Sequence, residues 1–409
     1  MAETGREFFT ARTVAQARAE FRPSHRTGAE RVGLDAACGR VPFAEILAEA
    51  PLPGFDRSAV DGFAVRARDT FGASEAIPAY LQVTGAVRMG AAAEAAVGGQ
   101  AAVAVPTGGA LPDGADAVVM VEHTQQAMPG TIEVVRPVAP GEGLVRADED
   151  VTAGTAIAAA DRPLRAQDVA LLAACGVVER DVHALPRVAI IATGDEVVSP
   201  AVADLGPGQV RDALSAPLGA LVREAGGMGL AGTIVPDDRD ALHGALRRAL
   251  DGCDAVVVCA GSSVGARDET AAAIELAGAE IWCHGLAIKP GKPTLLAARD
   301  GVPVIGLPGN PRSALVVFRL LGMDLVRRAG GWTAEHRAPS VPATLGRNLP
   351  SAAGRLDVVQ VALEGDVARP IFGPSALLSV LTAADGYLIV PEDANGLAAG
   401  EPVRVFTYG

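Results

Sequence analysis

The spacing of apolar and polar residues changes character along the chain and divides it before any motif is considered. The first fifty residues carry helical spacing and predict helices over 14–21 and 34–50. From 64 to 145 the texture shifts to short β-branched runs at 81–83, 101–105, 117–121 and 132–135. Turn residues close each run, which predicts an all-β lobe inserted in the N-terminal region. Helical spacing returns at 165–176. After Pro186 the elements alternate, with strands over 187–192, 229–235 and 255–259 and helices over 216–225, 241–250 and 269–277. Such alternation predicts a parallel sheet with right-handed crossovers and helices on both faces. A further strand over 302–306 leads into a helix that opens at Pro311 behind an Asn310 cap and runs apolar at helical spacing over 314–328. Beyond Trp332 short strands return, with turn signals at Ala384-Asp385-Gly386 and Asn395-Gly396, and predict a small all-β domain.

At 409 residues the chain is too long for one ordinary core, and two to four domains are expected. Its 48 Gly and 28 Pro are read as many tight turns. A net charge of −13 argues against a general nucleic-acid binder, so any phosphate site must be local. The five cysteines are scattered without a C-x-x-C pair, which predicts reduced thiols. No run approaches eighteen apolar residues, and no membrane span or leader is expected. The composition therefore predicts a soluble, cytoplasmic protein.

In an open parallel sheet, ligands bind beyond the carboxyl ends of the strands, so the loops there are where chemistry is sought. Three are unusual: Thr193-Gly194-Asp195-Glu196, then Gly261-Ser262-Ser263-Val264-Gly265-Ala266-Arg267-Asp268, then Gly306-Leu307-Pro308-Gly309-Asn310-Pro311-Arg312-Ser313. The first two bring small residues, hydroxyls and carboxylates to one edge. The third opens a helix whose free N–H groups and positive dipole end attract anions. Shortly before it, Ile288-Lys289-Pro290-Gly291-Lys292-Pro293 fixes two lysines between prolines and a glycine. Together these parts suit a phosphorylated, anionic ligand. Carboxylates beside phosphates are also the usual means of holding Mg²⁺.

Every one of these residues has a structural reading too. Asp268 can cap a helix starting at Glu269, Asp195 can fill a turn, Asp212 or Ser215 can cap the next helix, and Lys289 and Lys292 can be solvated charges. The Gly261 to Gly265 segment lacks the Walker ending and the dinucleotide glycine spacing. The six histidines stand far apart, and no G-x-S-x-G elbow points to a nucleophilic serine. What favours the functional reading is the coincidence of all three loops at strand ends.

One long segment carries a family resemblance. Pro51-Leu52-Pro53-Gly54-Phe55-Asp56-Arg57-Ser58-Ala59-Val60-Asp61-Gly62-Phe63-Ala64-Val65-Arg66 resembles the signature of MoeA-type molybdopterin molybdenumtransferases, the family that includes the C-terminal domain of gephyrin. Further matches follow in the family's order: Thr107-Gly108, Gly114-Ala115-Asp116-Ala117-Val118-Val119, Glu149-Asp150, the Thr193 loop, Leu205-Gly206-Pro207-Gly208-Gln209, the Lys289 loop and the Gly306 loop. They span essentially the whole chain.

The resemblance implies an α/β multidomain fold: a MogA-like parallel α/β domain over 186–332, an elongated N-terminal domain over 1–48 and 144–185, an inserted β lobe over 49–143, and a C-terminal small β-barrel over 333–409. It implies a homodimer that takes adenylylated molybdopterin and molybdate, cleaves the pyrophosphate bond with Mg²⁺, and releases AMP and molybdenum cofactor. The adenylyltransferase and molybdoenzymes are its candidate partners. By the same resemblance Asp56, Asp150, Glu196 and Asp268 matter for activity, Glu196 and Asp268 hold the metal, and Lys289, Lys292 and Ser375 face molybdate. Substrate contacts fall to Ser58, Asp61, Thr107, Thr193, Gly194, Asp195, Asp212, Gly261, Ser263, Gly265, Pro308, Gly309, Asn310, Pro311 and Ser313.

There are departures from the family pattern. Arg211-Asp212-Ala213-Leu214 stands where the family usually has Tyr-Asp-x-Asn, Cys259-Ala260-Gly261-Ser262-Ser263 where it has Ser-Gly-Gly-Val-Ser, and Ala266 where an acid is common. Gln360 replaces an arginine that helps bind molybdate in the family, and a neutral amide supplies neither guanidinium charge nor its fork. These changes keep open a non-catalytic scaffold or a paralogue handling another oxyanion such as tungstate. A molybdopterin adenylyltransferase is the remaining rival, and the 56–66 signature counts against it.

Overall fold

The computed structural model describes residues 11–232, 234–260, 264–374 and 376–408; for 264–268 it describes the backbone and not the side chains. Contacts divide the chain into two units. One comprises 1–44, 160–164 and 179–409, the other 45–159 and 165–178.

The larger unit is organised by a six-stranded sheet. Its strands are β1 (Arg187–Ala192), β2 (Met228–Ala231), β3 (Ala255–Ala260), β4 (Glu280–His284), β5 (Leu295–Arg299) and β6 (Val302–Pro308), in the spatial order β2-β1-β3-β6-β5-β4. The first four in that order run parallel, as the alternation predicts, while β5 pairs antiparallel with β6 and β4 antiparallel with β5. Both faces of the sheet are covered, which is why β1, β3 and β6 read as continuous apolar runs. Because side chains alternate along a strand, Val188 and Ile190 enter one core while Ala189 and Ile191 enter the other. The first core is closed by α1 (Ser215–Glu224), the second by α2 (Arg239–Gly252) and α3 (Val264–Leu276). After β6, α4 (Pro311–Val317) passes through a π-helical turn, Phe318–Gly322, into α5 (Met323–Ala329).

A closed five-stranded barrel follows. It comprises β7 (Ser340–Leu345), β8 (Leu356–Glu364), β9 (Val367–Pro370), β10 (Gly386–Val390) and β11 (Pro402–Thr407), with the ring β8-β9-β7-β11 completed by β10 pairing back to β8. Leu345, Val361, Ala368, Leu388, Val390 and Val405 fill it. The short strand Ile288–Lys289 pairs in parallel with β8, which fastens the lysine loop to the barrel.

A helix forms at Val14–Glu20, started by a Thr13–Gln16 capping box, and buries Val14 and Ala17 in the first core of the larger unit. The helix expected over 34–50 does not form. Leu34–Ala36 is a single 3₁₀ turn and Ile46–Leu47 a short strand. Gly39, at φ +80°, and Pro42 interrupt a segment whose Ala and Leu content otherwise reads as helical. The smaller unit carries a second six-stranded sheet, ordered Ala117–Met120, Gly62–Val65, Ala101–Val105, Ala79–Ala86, Thr131–Val134 and Thr124–Met128. Its helix, Ala166–Ala174, lies where helical spacing returns in the sequence. Among the described residues no helix is long and apolar enough to cross a membrane.

Candidate active site

The carboxyl ends of β1, β3 and β6 are neighbours in the sheet, so the three unusual loops emerge side by side. At the end of β1, Thr193 is buried, and both its amide and its hydroxyl donate to the Cys259 carbonyl in β3, at 2.9 and 3.2 Å. Gly194 follows at φ +135° and donates to the Val235 carbonyl. A Cβ at Gly194 would lie 2.5 Å from Oε2 of Glu196, so only glycine lets the Glu196 carboxylate fold back over the turn. Asp195 and Glu196 are both exposed.

Asp237, which the sequence reading passed over, joins them. Its amide donates to Oδ1 of Asp195 at 3.1 Å. Although the residue is exposed overall, partial desolvation of its carboxyl, then the negative charges of Glu196 and Asp195, hold it above the usual carboxylate range. The available signal was positional: Pro236-Asp237-Asp238 follows a predicted parallel strand. Asp238 has the ordinary job of accepting from the Ala241 amide at 2.8 Å to cap α2.

These carboxylates are oxygen donors that repel one another, the donor chemistry Mg²⁺ prefers. Among the described residues no three Asp, Glu, His or Cys side chains stand close enough to make a ready-built cage. That is compatible with Mg²⁺, which is usually held by one or two carboxylates together with substrate phosphates and water. Asp212 is differently employed: its Oδ1 accepts from the amides of Leu214 and Ser215 at 2.9 and 3.1 Å, at the start of α1.

The lysine loop packs directly against α4. Pro290 and Gly291 are buried while Lys289 and Lys292 remain exposed, and neither lysine has an ion-pair partner among the described residues. Gly291, at φ +117°, has no room for a side chain, since a Cβ would sit 2.2 Å from Cγ2 of Val317. The Leu286 amide on the Lys292 carbonyl, at 2.8 Å, and the Thr294 hydroxyl on the Gly291 carbonyl, at 2.7 Å, fix the loop's base. Beyond β6, Pro308 is buried, Gly309 and Asn310 are half-buried, Pro311 takes the first helical position as expected, and Ser313 is buried. Asn310 occupies the cap position without a side-chain capping bond.

The smaller unit gathers its own polar cluster. Asp56 accepts from the Ala147 amide at 2.8 Å and from Nη1 of Arg146 at 2.9 Å, and these two bonds, the backbone one foremost, hold its carboxyl below the usual range. Asp150 is exposed on the turn that follows, its amide on the Leu52 carbonyl. Asp61 accepts from both the amide and the hydroxyl of Thr107, at 2.7 and 3.0 Å, which likewise lowers its carboxyl. Ser58 is buried, with its hydroxyl committed to the Val60 carbonyl at 2.5 Å.

Gly261, Ser263 and Ser375 lie outside the described residues, as does the side chain of Asp268, while Gly265 is described in its helical backbone only. The backbone around Asp268 corrects one expectation. Helix α3 begins at Val264, so Asp268 lies inside its second turn and does not cap it. Ala266, Arg267 and Glu269 are helix formers that extend the helix backwards. A cavity of about 820 Å³ lies elsewhere in the larger unit and includes none of the loop residues. Arginines in its lining are largely paired, Arg319 with Glu224 and Arg327 with Asp324, each at 2.9 Å.

Comparison with known proteins gives this geometry its family. Residues 11–176 match the MoeA N-terminal region (domain I and II), 189–328 a probable molybdopterin binding domain, and 342–408 the MoeA C-terminal region (domain IV). A curated relative, molybdopterin molybdenumtransferase 2 of Mycobacterium tuberculosis, is 34% identical over 92% of this chain and 94% of its own. The chain belongs to the MoeA family. The molybdopterin molybdenumtransferase of Bacillus subtilis is 30% identical over 92% of this chain and 89% of its own. The crystal structure of the molybdopterin biosynthesis MoeA protein from Pyrococcus horikoshii OT3 superimposes with a TM-score of 0.85, at 32% identity, covering 97% of this chain and all of that one. Two departures from the MoeA pattern have a structural account. Leu214 is buried in the first core of the larger unit, and Arg211 donates to the carbonyls of Val202 and Ala203, tying down the preceding loop.

Proposed function

We propose that this MoeA-family enzyme inserts molybdate into adenylylated molybdopterin, with Mg²⁺-dependent cleavage of the pyrophosphate bond and release of AMP and molybdenum cofactor. The observation that most supports this reading is the meeting of three loops at adjacent strand ends, with two lysines beside them that have no ion-pair partner among the described residues. In this scheme the 308–313 loop receives the phosphates, and Lys289 and Lys292 attract the oxyanion and offset charge gathering on it. Thr193 holds the β1 and β3 loops at a fixed spacing, which keeps the bound nucleotide oriented. Asp195, Glu196, Asp237 and Asp268 are the residues that would hold Mg²⁺, whose chemistry is neutralisation of charge on the leaving phosphate. Ser58, Asp61, Thr107, Asp56 and Asp150 form a second polar set on the smaller unit.

With this reading go a four-domain subunit with the boundaries given above, a homodimer and a cytoplasmic location. The adenylyltransferase alternative is disfavoured because matches to MoeA extend to both the N-terminal and the C-terminal regions. The decisive experiment combines purified protein, adenylylated molybdopterin, Mg²⁺ and molybdate and follows AMP. Release that depends on molybdate is expected. No release, or release indifferent to molybdate, overturns the proposal.

A further inference from the structure

Gln360 leaves the oxyanion end of the site short of a guanidinium on β8, yet a buried guanidinium on another element holds the same 371–374 loop that Gln360 holds. Arg312, the second residue of α4, is 9% exposed, and Gln360 is fully buried. Arg312 donates from Nη1 to the Gly373 carbonyl at 2.8 Å. Among the described residues its Nε is buried without a partner, as is the Nε2 of Gln360. Among the described residues no carboxylate pairs with Arg312, and burial lowers its pKa. The Tyr408 hydroxyl donates to Oε1 of Gln360 and also feels the charge of Arg312, though Tyr408 and Arg312 make no hydrogen bond among the described residues. The 371–374 loop, which leads to Ser375, is pinned at both ends by the same pair, through the Ile371 amide on the Gln360 carbonyl and through Arg312 on Gly373.

An uncompensated buried cation is unfavourable unless an anion answers it, and a buried donor without an acceptor adds to the penalty. Here two buried donors lack acceptors among the described residues, and one of them, on Gln360, belongs to the strand to which the lysine loop is fastened. We propose that Arg312, brought in from α4, supplies the cationic charge for a tetrahedral oxyanion of the molybdate class, with Gln360 as its neutral hydrogen-bonding partner. The charge that the family resemblance implies on β8 is thereby relocated to α4. This inference rests on the transferase reading for the identity of the ligand, not for the existence of the subsite.

The test measures molybdate binding to the protein alone by equilibrium dialysis, with sulfate and tungstate as comparisons, and separately measures AMP release. Arg312→Met should weaken molybdate binding to the protein alone roughly tenfold or more. The transposed variant, Arg312→Gln with Gln360→Arg, keeps one guanidinium in the cluster and should recover most of the affinity. Folded Arg312→Met that binds molybdate like the parent overturns the proposal. Should Arg312→Met fail to fold, the transposed variant decides alone: folded protein that has lost molybdate binding equally refutes it. Molybdate binding that depends on Arg312 without any AMP release would sink the transferase reading and leave the subsite. Molybdate-dependent AMP release indifferent to Arg312 would do the reverse.

Discussion

The Asp237 amide donates to the Asp195 carboxylate at 3.1 Å, and this bond brings the loop after β2 onto the loop after β1. Two carboxylates and the nearby Glu196 are thereby crowded at one edge of the sheet, with Asp237 held above its ordinary range by partial desolvation and by its neighbours' charges. Crowding of this kind is unfavourable in the resting protein and becomes favourable when a cation arrives.

Asp237→Asn should therefore act in opposite directions on stability and on turnover. A carboxyl with a raised folded pKa loses stability as pH rises from its unfolded value, about 3.9, through its folded value. Removing the charge should thus make the variant slightly more stable than the parent at neutral pH without Mg²⁺, an advantage that vanishes in acid below the unfolded value. The Mg²⁺ concentration giving half-maximal AMP release should rise several-fold. Thermal melts across pH and an Mg²⁺ titration check both halves; an unchanged Mg²⁺ requirement removes Asp237 from the site.

Strand ends were the most legible part of this molecule in its sequence. The run 187–192 was recovered residue for residue, because a strand buried on both faces writes itself as an unbroken apolar stretch between turn residues. The Lys289 and Gly306 loops were legible for a related reason, since their Gly and Pro residues have few other uses. Asp237 was missed because an acid after a strand looks like its neighbour Asp238, which merely caps a helix. Arg312 was missed because its partners, Gly373 and Tyr408, lie in the barrel region, and no local pattern announces a contact across 61 positions. The helix expected over 34–50 fails for the opposite reason: its residues favour a helix locally, and Gly39 and Pro42 interrupt it.

The lysine loop offers a packing test. Gly291→Ala combines a left-handed φ of +117° with a Cβ placed 2.2 Å from Val317, and overpacking with backbone strain should together cost about 2–4 kcal/mol. Gly278→Ala is the control. It also has a positive φ, +84°, but its Cβ meets nothing closer than Arg299 Cδ at 3.5 Å, so only strain of about 1 kcal/mol remains. Urea unfolding of the two variants checks the difference. A Gly291→Ala variant as stable as Gly278→Ala would mean that the loop does not press on α4 as described, and its lysines would then not be held in place by packing.

The final prediction concerns the smaller unit, where Asp56 joins the 51–56 segment to 146–147 through the Ala147 amide and Arg146. Both bonds favour the ionised carboxyl, so its folded pKa lies below its unfolded one. The stability that the charge provides is therefore complete above the unfolded value, about 3.9, and is lost as pH falls through the lower folded value. Asp56→Asn keeps an oxygen for the Ala147 amide and gives up the charge that strengthens both that bond and the Arg146 contact. Since both partners are substantially solvated, the deficit at neutral pH should be no more than about 1 kcal/mol. It should hold steady from neutral pH down to the unfolded value and then close as the parent's carboxylate takes up its proton. Paired denaturation curves for parent and variant across that range provide the measurement. A deficit that persists unchanged below the folded pKa would show that the side-chain amide disturbs the turn sterically and that the carboxylate's charge contributes nothing to holding it.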